Sequence, residues 1–411
     1  MNQPWIRLGL VAALGCAPCL AQQSALEPPD LHRYVRWGPL RARPGFQISN
    51  FGYDNNIFAT GADQKRVGDY TITLGPRLDG LVLFGDRAFL TFRQQLAYTA
   101  YRDYSDLNYT DLRFSSRTTF PLRGFGVFVE GSYNRLNERP VDEEDVLAER
   151  DEDGLGVGVI LVPGWRTELE IARARKEWSY YDPDADPNEP VTIGDRLDRT
   201  EDRHTLEVRY RIFGRTRLTL NAHVATLDFD SPIASGRDSD EWGLLPGIDF
   251  GEGGSVSGSL RLGWTVISPD SPLQANFDDV VGRAELAFRP GTRTRVRLEA
   301  WRKPGFTVSS SSVFYLDTQA RLRTVYYLTR IIGIETGGGR GTLEFPNQLG
   351  ALDRKDRIGT YEAGLRFRLS RDSMGRRVEY SLRYRHYRRT SSDFRQNRTG
   401  NVLGLDAIVG F

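Results

Sequence analysis

The chain has 411 residues, 39% of them hydrophobic, and its 55 basic and 54 acidic side chains leave a net charge of +1. That balance gives no electrostatic footprint for a nucleic-acid partner, and beyond the N-terminus no run approaches the ~18 consecutive apolar residues of a membrane-spanning helix. Both cysteines, Cys16 and Cys19, fall in the first 21 residues, so the remainder has no thiol for a disulfide, a thiolate metal site or a cysteine nucleophile.

At the N-terminus Arg7 precedes a short apolar run, Leu8 to Leu14, and a small-residue site at Cys19-Leu20-Ala21. This is the layout of a secretory signal peptide over residues 1–21, too short to cross a bilayer as a helix, with cleavage expected after Ala21. A rival lipoprotein site at Ala13-Leu14-Gly15-Cys16 has Ala and Leu in the reverse of the usual order. Residues 22–39, with Pro28-Pro29, read as a short periplasmic lead-in, too small for a folded plug or a docking domain. Export without a helical span leaves a soluble periplasmic or secreted protein, or an outer-membrane barrel.

From about residue 40 to residue 411 the sequence alternates with a period of two, which places alternate side chains on opposite faces of a strand. Strands are expected near 42–51, 68–84, 88–101, 108–122, 125–137, 152–163, 166–180, 201–213, 217–229, 239–250, 255–267, 276–289, 294–304, 313–326, 329–340, 357–370, 377–388 and 398–411. Leu206, Val208, Tyr210 and Ile212 oppose Glu207, Arg209 and Arg211; Val378, Tyr380, Leu382 and Tyr384 oppose Glu379, Ser381, Arg383 and Arg385. A soluble sandwich would bury the apolar face and a membrane barrel would turn it to lipid, so periodicity alone does not choose. Three features favour the barrel: strands well beyond the five or six residues usual in soluble sheets, aromatics toward strand ends, and turns that alternate between short and long. The fold class expected is therefore an all-β, transmembrane antiparallel β-barrel of about 18 strands with no plug domain. Its wall would contact outer-membrane lipid. The last strand places Leu403, Leu405, Ala407, Val409 and Phe411 on one face, an ending suited to recognition by the barrel-assembly machinery.

The polar faces gather arginines expected to line the bore: Arg93, Arg113, Arg117, Arg209, Arg211, Arg283, Arg295, Arg297, Arg321, Arg323, Arg366, Arg368, Arg383 and Arg385. Interleaved glutamates allow a plainer account, cross-strand ion-pair ladders that stiffen the wall. The excess of arginine also suits a path that concentrates anionic solutes, because a confined charged lumen focuses its field. Tyr101, Trp301 and Tyr387, at polar positions, would stack on sugar rings or pack in the wall. His223 beside Asn221 has the flavour of a Ser-His-Asn site, but no nucleophile motif accompanies it, and no enzymatic activity is expected. Asp182, Asp184, Asp186 and Glu189 alternate carboxylates without the glycine of a calcium loop, and Asp142-Glu143-Glu144-Asp145 reads as another solvated acidic loop; no metal and no cofactor is expected.

The first barrel strand, from Arg41-Ala42-Arg43-Pro44-Gly45-Phe46 into Tyr53-Asp54-Asn55-Asn56-Ile57-Phe58, resembles the opening of the putative beta-barrel porin 2 family. The resemblance implies an outer-membrane barrel associated with exopolysaccharide assembly and export, and carries no catalytic residues. The expectation is an outer-membrane channel exporting a secreted polysaccharide with a partner at the periplasmic mouth; the alternative is a general diffusion porin for small hydrophilic solutes.

Overall fold

The alternating segments become strands nearly everywhere the sequence places them. The computed structural model describes residues 25–410 except 62–63, 139–147, 182–190, 233, 252–253, 308–312, 347–351 and 370–376. The expected signal peptide, Phe411, and the acidic runs at 142–145 and 182–189 lie outside the described residues.

In chain order the strands are β1 (Val35–Trp37), β2 (Leu40–Asp54), β3 (Asp69–Phe84), β4 (Ala88–Tyr101), β5 (Tyr109–Pro121), β6 (Phe125–Glu138), β7 (Ala148–Leu161), β8 (Thr167–Tyr181) and β9 (Arg199–Phe213). They continue with β10 (Thr216–Phe229), β11 (Ser239–Phe250), β12 (Val256–Pro269), β13 (Phe277–Phe288), β14 (Thr294–Phe306), β15 (Phe314–Tyr327), β16 (Ile332–Pro346), β17 (Leu352–Leu369), β18 (Arg377–Ser391) and β19 (Arg398–Gly410). Each strand from β2 to β19 pairs antiparallel with the next, and β19 pairs with β2 through Val409↔Phe46 and Leu403↔Tyr53, which closes an 18-stranded barrel. The three residues of β1 continue the sheet beside β2, pairing Trp37 with Leu40 at the level where β19 has ended. One short helix, α1 (Ile193–Leu197), sits in the β8–β9 connection, opened by a capping box between Thr192 and Asp195.

Ion pairs identify the inner face. Arg117 on β5 reaches Glu170 on β8 at 3.1 Å, and Arg203 on β9 reaches Glu241 on β11 at 2.8 Å. Side chains from strands that are not neighbours meet only on the concave side of a curved sheet, so the charged face is the inside. The opposite face carries exposed apolar residues such as Ile171, Leu206, Tyr210, Leu260, Leu262, Leu322, Leu365, Leu382 and Leu403. A strand of 14 residues such as β6 is ~46 Å long and, tilted at ~45°, rises ~33 Å, enough to cross the hydrocarbon core. Tyr53 and Tyr70 pack at 5.2 Å at the long-loop end of the apolar band, and Phe84, Phe120, Trp165 and Phe213 stand exposed at the short-turn end. On β6–β9 the outward face turns charged beyond this band, where Arg135 pairs with Asp151 at 2.8 Å and Arg173 with Asp202 at 3.4 Å.

Two departures from the sequence reading have clear causes. The β16–β17 hairpin runs further than expected, with Thr342↔Arg357 and Phe345↔Arg354 still in register. Gly341, where the expected connection begins, instead stays in the ladder opposite Ile358, and the glycines of this strand make room: a Cβ at Gly339 would stand 2.9 Å from Cγ of Arg321 and 2.8 Å from the Thr360 hydroxyl. Second, the β13–β14 ladder stops at Gly282↔Arg302, although β13 continues back to Phe277 and β14 on to Phe306. There the Arg302 guanidinium replaces the missing ladder, donating to Val280 O at 2.9 Å and pairing with Asp279.

Candidate channel lumen

The interior charges are densest in the half of the barrel nearer the short turns. In that half of β14–β19, eight inward arginines (Arg295, Arg297, Arg321, Arg323, Arg366, Arg368, Arg383, Arg385) face five inward carboxylates (Glu299, Glu335, Glu362, Glu379, Asp406). Six of those arginines line a recess of about 320 Å³ together with Gln47, Thr360 and Ser381. Next to it, on β2–β4, Arg43, Arg77 and Arg93 converge on Asp79, with Arg43 at 2.6 Å and Arg93 at 2.7 Å. Around the far wall the charges balance. Arg209 holds Glu168 at 2.7 Å, Glu170 at 3.1 Å and Glu207 at 3.0 Å, and Arg261 reaches Glu207 at 3.4 Å and Asp249 at 3.5 Å.

Of the fourteen arginines singled out from the sequence, at least ten hold a carboxylate. Arg93, Arg117 and Arg209 do so as described; Arg297 meets Glu299 at 2.7 Å, Arg323 meets Glu362 at 2.8 Å and Arg385 meets the same Glu362 at 2.8 Å. Arg366 meets Glu335 at 2.8 Å, Arg368 meets Glu379 at 2.9 Å, and Arg283 and Arg383 pair with Glu285 and Asp406. The other four differ. Arg321 lies over the Trp301 ring at 4.9 Å and donates to Gln319, and Arg295 lies over Tyr327 at 5.5 Å. Arg113 is buried on β5, and Arg211 stands opposite Arg217 in the β9–β10 register. These pairs rigidify the wall, while shared carboxylates leave a surplus of positive charge along β14–β19 and β2–β4.

The bore is narrowed at its long-loop end by the tips of β14 and β15. Released from β13, they lean inward: Phe306 packs edge-on to Phe229 at 5.6 Å, and the Arg199 guanidinium sits between Trp178 at 4.4 Å and Phe306 at 4.6 Å. Val313, Phe314 and Leu316 bury themselves against Ile267, Phe277 and Val281, and Tyr315 stacks on Phe345 at 5.1 Å. Helix α1 joins this constriction, with Ile193 and Leu197 packed against Ala148, Phe306 and Tyr315. Arg237, from the β10–β11 connection, knits the parts together by donating to Arg196 O at 3.0 Å, to Val313 O at 3.0 Å and to Thr307 O. At the other mouth, the segment ahead of β1 crosses the lumen. Ala25 N donates to Glu168 at 3.0 Å, and Leu26 occupies the space that a side chain at Gly126 would need.

The remaining sequence candidates are accounted for locally. His223 directs Nε2 to Glu241 at 2.9 Å and Nδ1 to Asn221 at 3.4 Å, so both ring nitrogens are engaged and none is left to activate a hydroxyl. Tyr387 is buried with its hydroxyl on Asn56 O, Tyr101 is buried with Ile57 and Tyr109, and Trp301 donates to Asp317 at 2.6 Å. Arg237, Phe306, Ala25 and Leu26 carried no periodic or motif signal that would have pointed to them.

A closed cylinder of eighteen antiparallel strands, apolar outside and charged within, is the architecture of a porin-like channel of the bacterial outer membrane, in contact with its lipid. The chain belongs to the putative beta-barrel porin 2 family, whose model matches residues 35–411. Among solved structures it is similar to the outer membrane protein opdK of Pseudomonas aeruginosa (10% identity, 90% of this chain and 98% of that one, TM-score 0.47). It is also similar to OccAB3 of Acinetobacter baumannii (11%, 90% and 99%, TM-score 0.49) and to a BenF-like porin of Pseudomonas fluorescens (9%, 90% and 98%, TM-score 0.47). A search of curated proteins finds no significant match.

Proposed function

We propose that this barrel is a passive channel for small hydrophilic solutes that favours anions, with the arginines of β14–β19 and β2–β4 as its solute-contacting face. The carrying observation is the contiguous basic arc, in which eight arginines face five carboxylates on one side and three arginines share Asp79 on the other. In a confined bore with low-dielectric walls such an excess concentrates counter-ions, and guanidinium forks suit carboxylate or phosphate groups. Side chains paired to the wall cannot sweep the lumen, so the arc acts as a fixed field.

Export of a secreted polysaccharide is supported less well. The inward β14–β15 tips, α1 and the Ala25–Leu26 crossing all occupy the path of an extended polymer, and each would have to move. That reading also needs a periplasmic export partner to drive the polymer. In either case, secretion by a leader cleaved after Ala21 and engagement of β19 by the barrel-assembly machinery complete the proposal.

Liposome swelling tests it. Vesicles holding the purified barrel should swell in a small acidic sugar faster than in a neutral sugar of equal size, and should exclude a long dextran. Equal entry of neutral and acidic sugars would remove the anion preference; entry of dextran would restore the polymer reading.

A further inference from the structure

Where β14 and β15 lean inward, the outer wall of the barrel is dented. The dent is a groove of about 940 Å³ on the membrane-facing side, running from β12–β13 to β17–β18. Its lower part is apolar, with Leu260, Leu262, Ala284 and Ala300, and continues the lipid-facing band. Its upper part is basic. Arg340 on β16 and Arg388 on β18 are both in register with Gly359 on β17, and Arg357 stands one step nearer the long loops, in register with Thr342 and Thr390.

These three arginines contrast with those inside. Each is exposed, and none makes a hydrogen bond or ion pair among the described residues. Glu344, an outward carboxylate on β16, is committed to Lys355. Between Arg340 and Arg388, Gly359 leaves a bare floor, since a Cβ there would meet nothing within 4 Å. Three unneutralised guanidinium groups around an empty floor call for an anion. Their position directly above exposed Tyr361 and the apolar band puts that anion at the lipid headgroup level of the long-loop side.

We propose that this groove binds a phosphorylated glycolipid of the outer leaflet, its phosphate held by Arg340, Arg357 and Arg388 and an acyl chain laid along Leu260, Leu262 and Ala284. The occupant follows from the groove's two halves: an anionic group and a hydrocarbon chain must be present in one molecule to fill both. The binding face points away from the lumen, so it is independent of the conduction proposal.

The test uses the full barrel purified in mild detergent from outer membranes. Bound glycolipid is counted by mass spectrometry of the intact complex, and diphosphorylated lipid A is added back against its dephosphorylated form. The wild type should retain the phosphorylated lipid and discriminate at least about tenfold against the dephosphorylated one. Arg340→Ala/Arg357→Ala/Arg388→Ala should lose that retention, and so should Gly359→Asp, which puts a carboxylate on the open floor and leaves all three arginines in place. Arg173→Ala/Arg175→Ala, outward but remote, should retain it. Heat-modified gel mobility checks that each variant is folded. Equal retention by the folded triple variant overturns the proposal, as does full displacement of the lipid by millimolar inorganic phosphate, which would mark a simple anion site.

Discussion

The Arg199 guanidinium lies 4.6 Å from the Phe306 ring centroid, although β9 and β14 stand five positions apart around the wall. The contact exists because β14 leaves β13 after Arg302 and turns its tip into the bore. Phe306→Ala should therefore widen the constriction and raise single-channel conductance. Phe306 is only partly buried, so the loss of stability should fall below the ~3–5 kcal/mol typical of a fully buried phenylalanine. Unchanged conductance in the folded variant would place the limiting section elsewhere.

Arg237 is the tie between α1 and the β14–β15 tip. Replacing it with Lys keeps the charge but cannot reach Arg196 O, Thr307 O and Val313 O together from one planar fork. Arg237→Lys should give frequent open–closed flicker in bilayer recordings where the wild type is steady. A quiet trace would mean that apolar packing alone holds the tip.

Asp198, which ends α1, gives the docking of this helix a pH dependence. Burial, reinforced by Asp230 and Asp195, pushes its carboxyl up to about 6, against the pull of the Tyr180 N–H and Arg199. Because the folded value is raised, docking of α1 is favoured fully below the ordinary carboxylate value of ~3.9 and is lost as pH rises through about 6. The chain at α1 should resist proteolysis better at acid pH than at neutral pH, and Asp198→Asn should resist equally at both. Greater cleavage at acid pH in the wild type would reverse the assignment.

Asp356 is wholly buried between Arg354 at 3.2 Å and Arg389, itself 6% exposed. Removing one member of such a buried group strands the others' charge, at a cost of ~3–5 kcal/mol. Asp356→Ala should lower the temperature at which the barrel loses its compact gel mobility, with little change in conductance, since these residues lie toward the long loops and away from the basic arc.

The wall was legible in the sequence and its interior furnishing was not. Period-two alternation, turn lengths and the Arg41–Phe58 opening carry the barrel, its strand number and its family, because each depends on local pattern. The β16–β17 extension was hidden by Gly341, at which the expected strand stops, although its small size serves Gln319 on the neighbouring strand. The inward turn of β14–β15 was hidden more deeply. Phe306 fell in the connection after the expected 294–304 strand, Phe314 and Leu316 stand at the outward parity of theirs, and only contact with Phe229, Ile267 and Phe277, far away in sequence, brings them inside. Arginine parity was visible, but which carboxylate each guanidinium holds depends on barrel curvature, as in Arg117 with Glu170.

The most direct test is the zero-current potential of the reconstituted barrel in a KCl gradient. Its sign should report anion preference, and Arg297→Glu/Arg323→Glu, the pair with side chains 58% and 40% exposed to the bore, should move it toward cations. A cation-selective wild type, or a potential indifferent to both substitutions, would contradict the basic arc as the solute-contacting face.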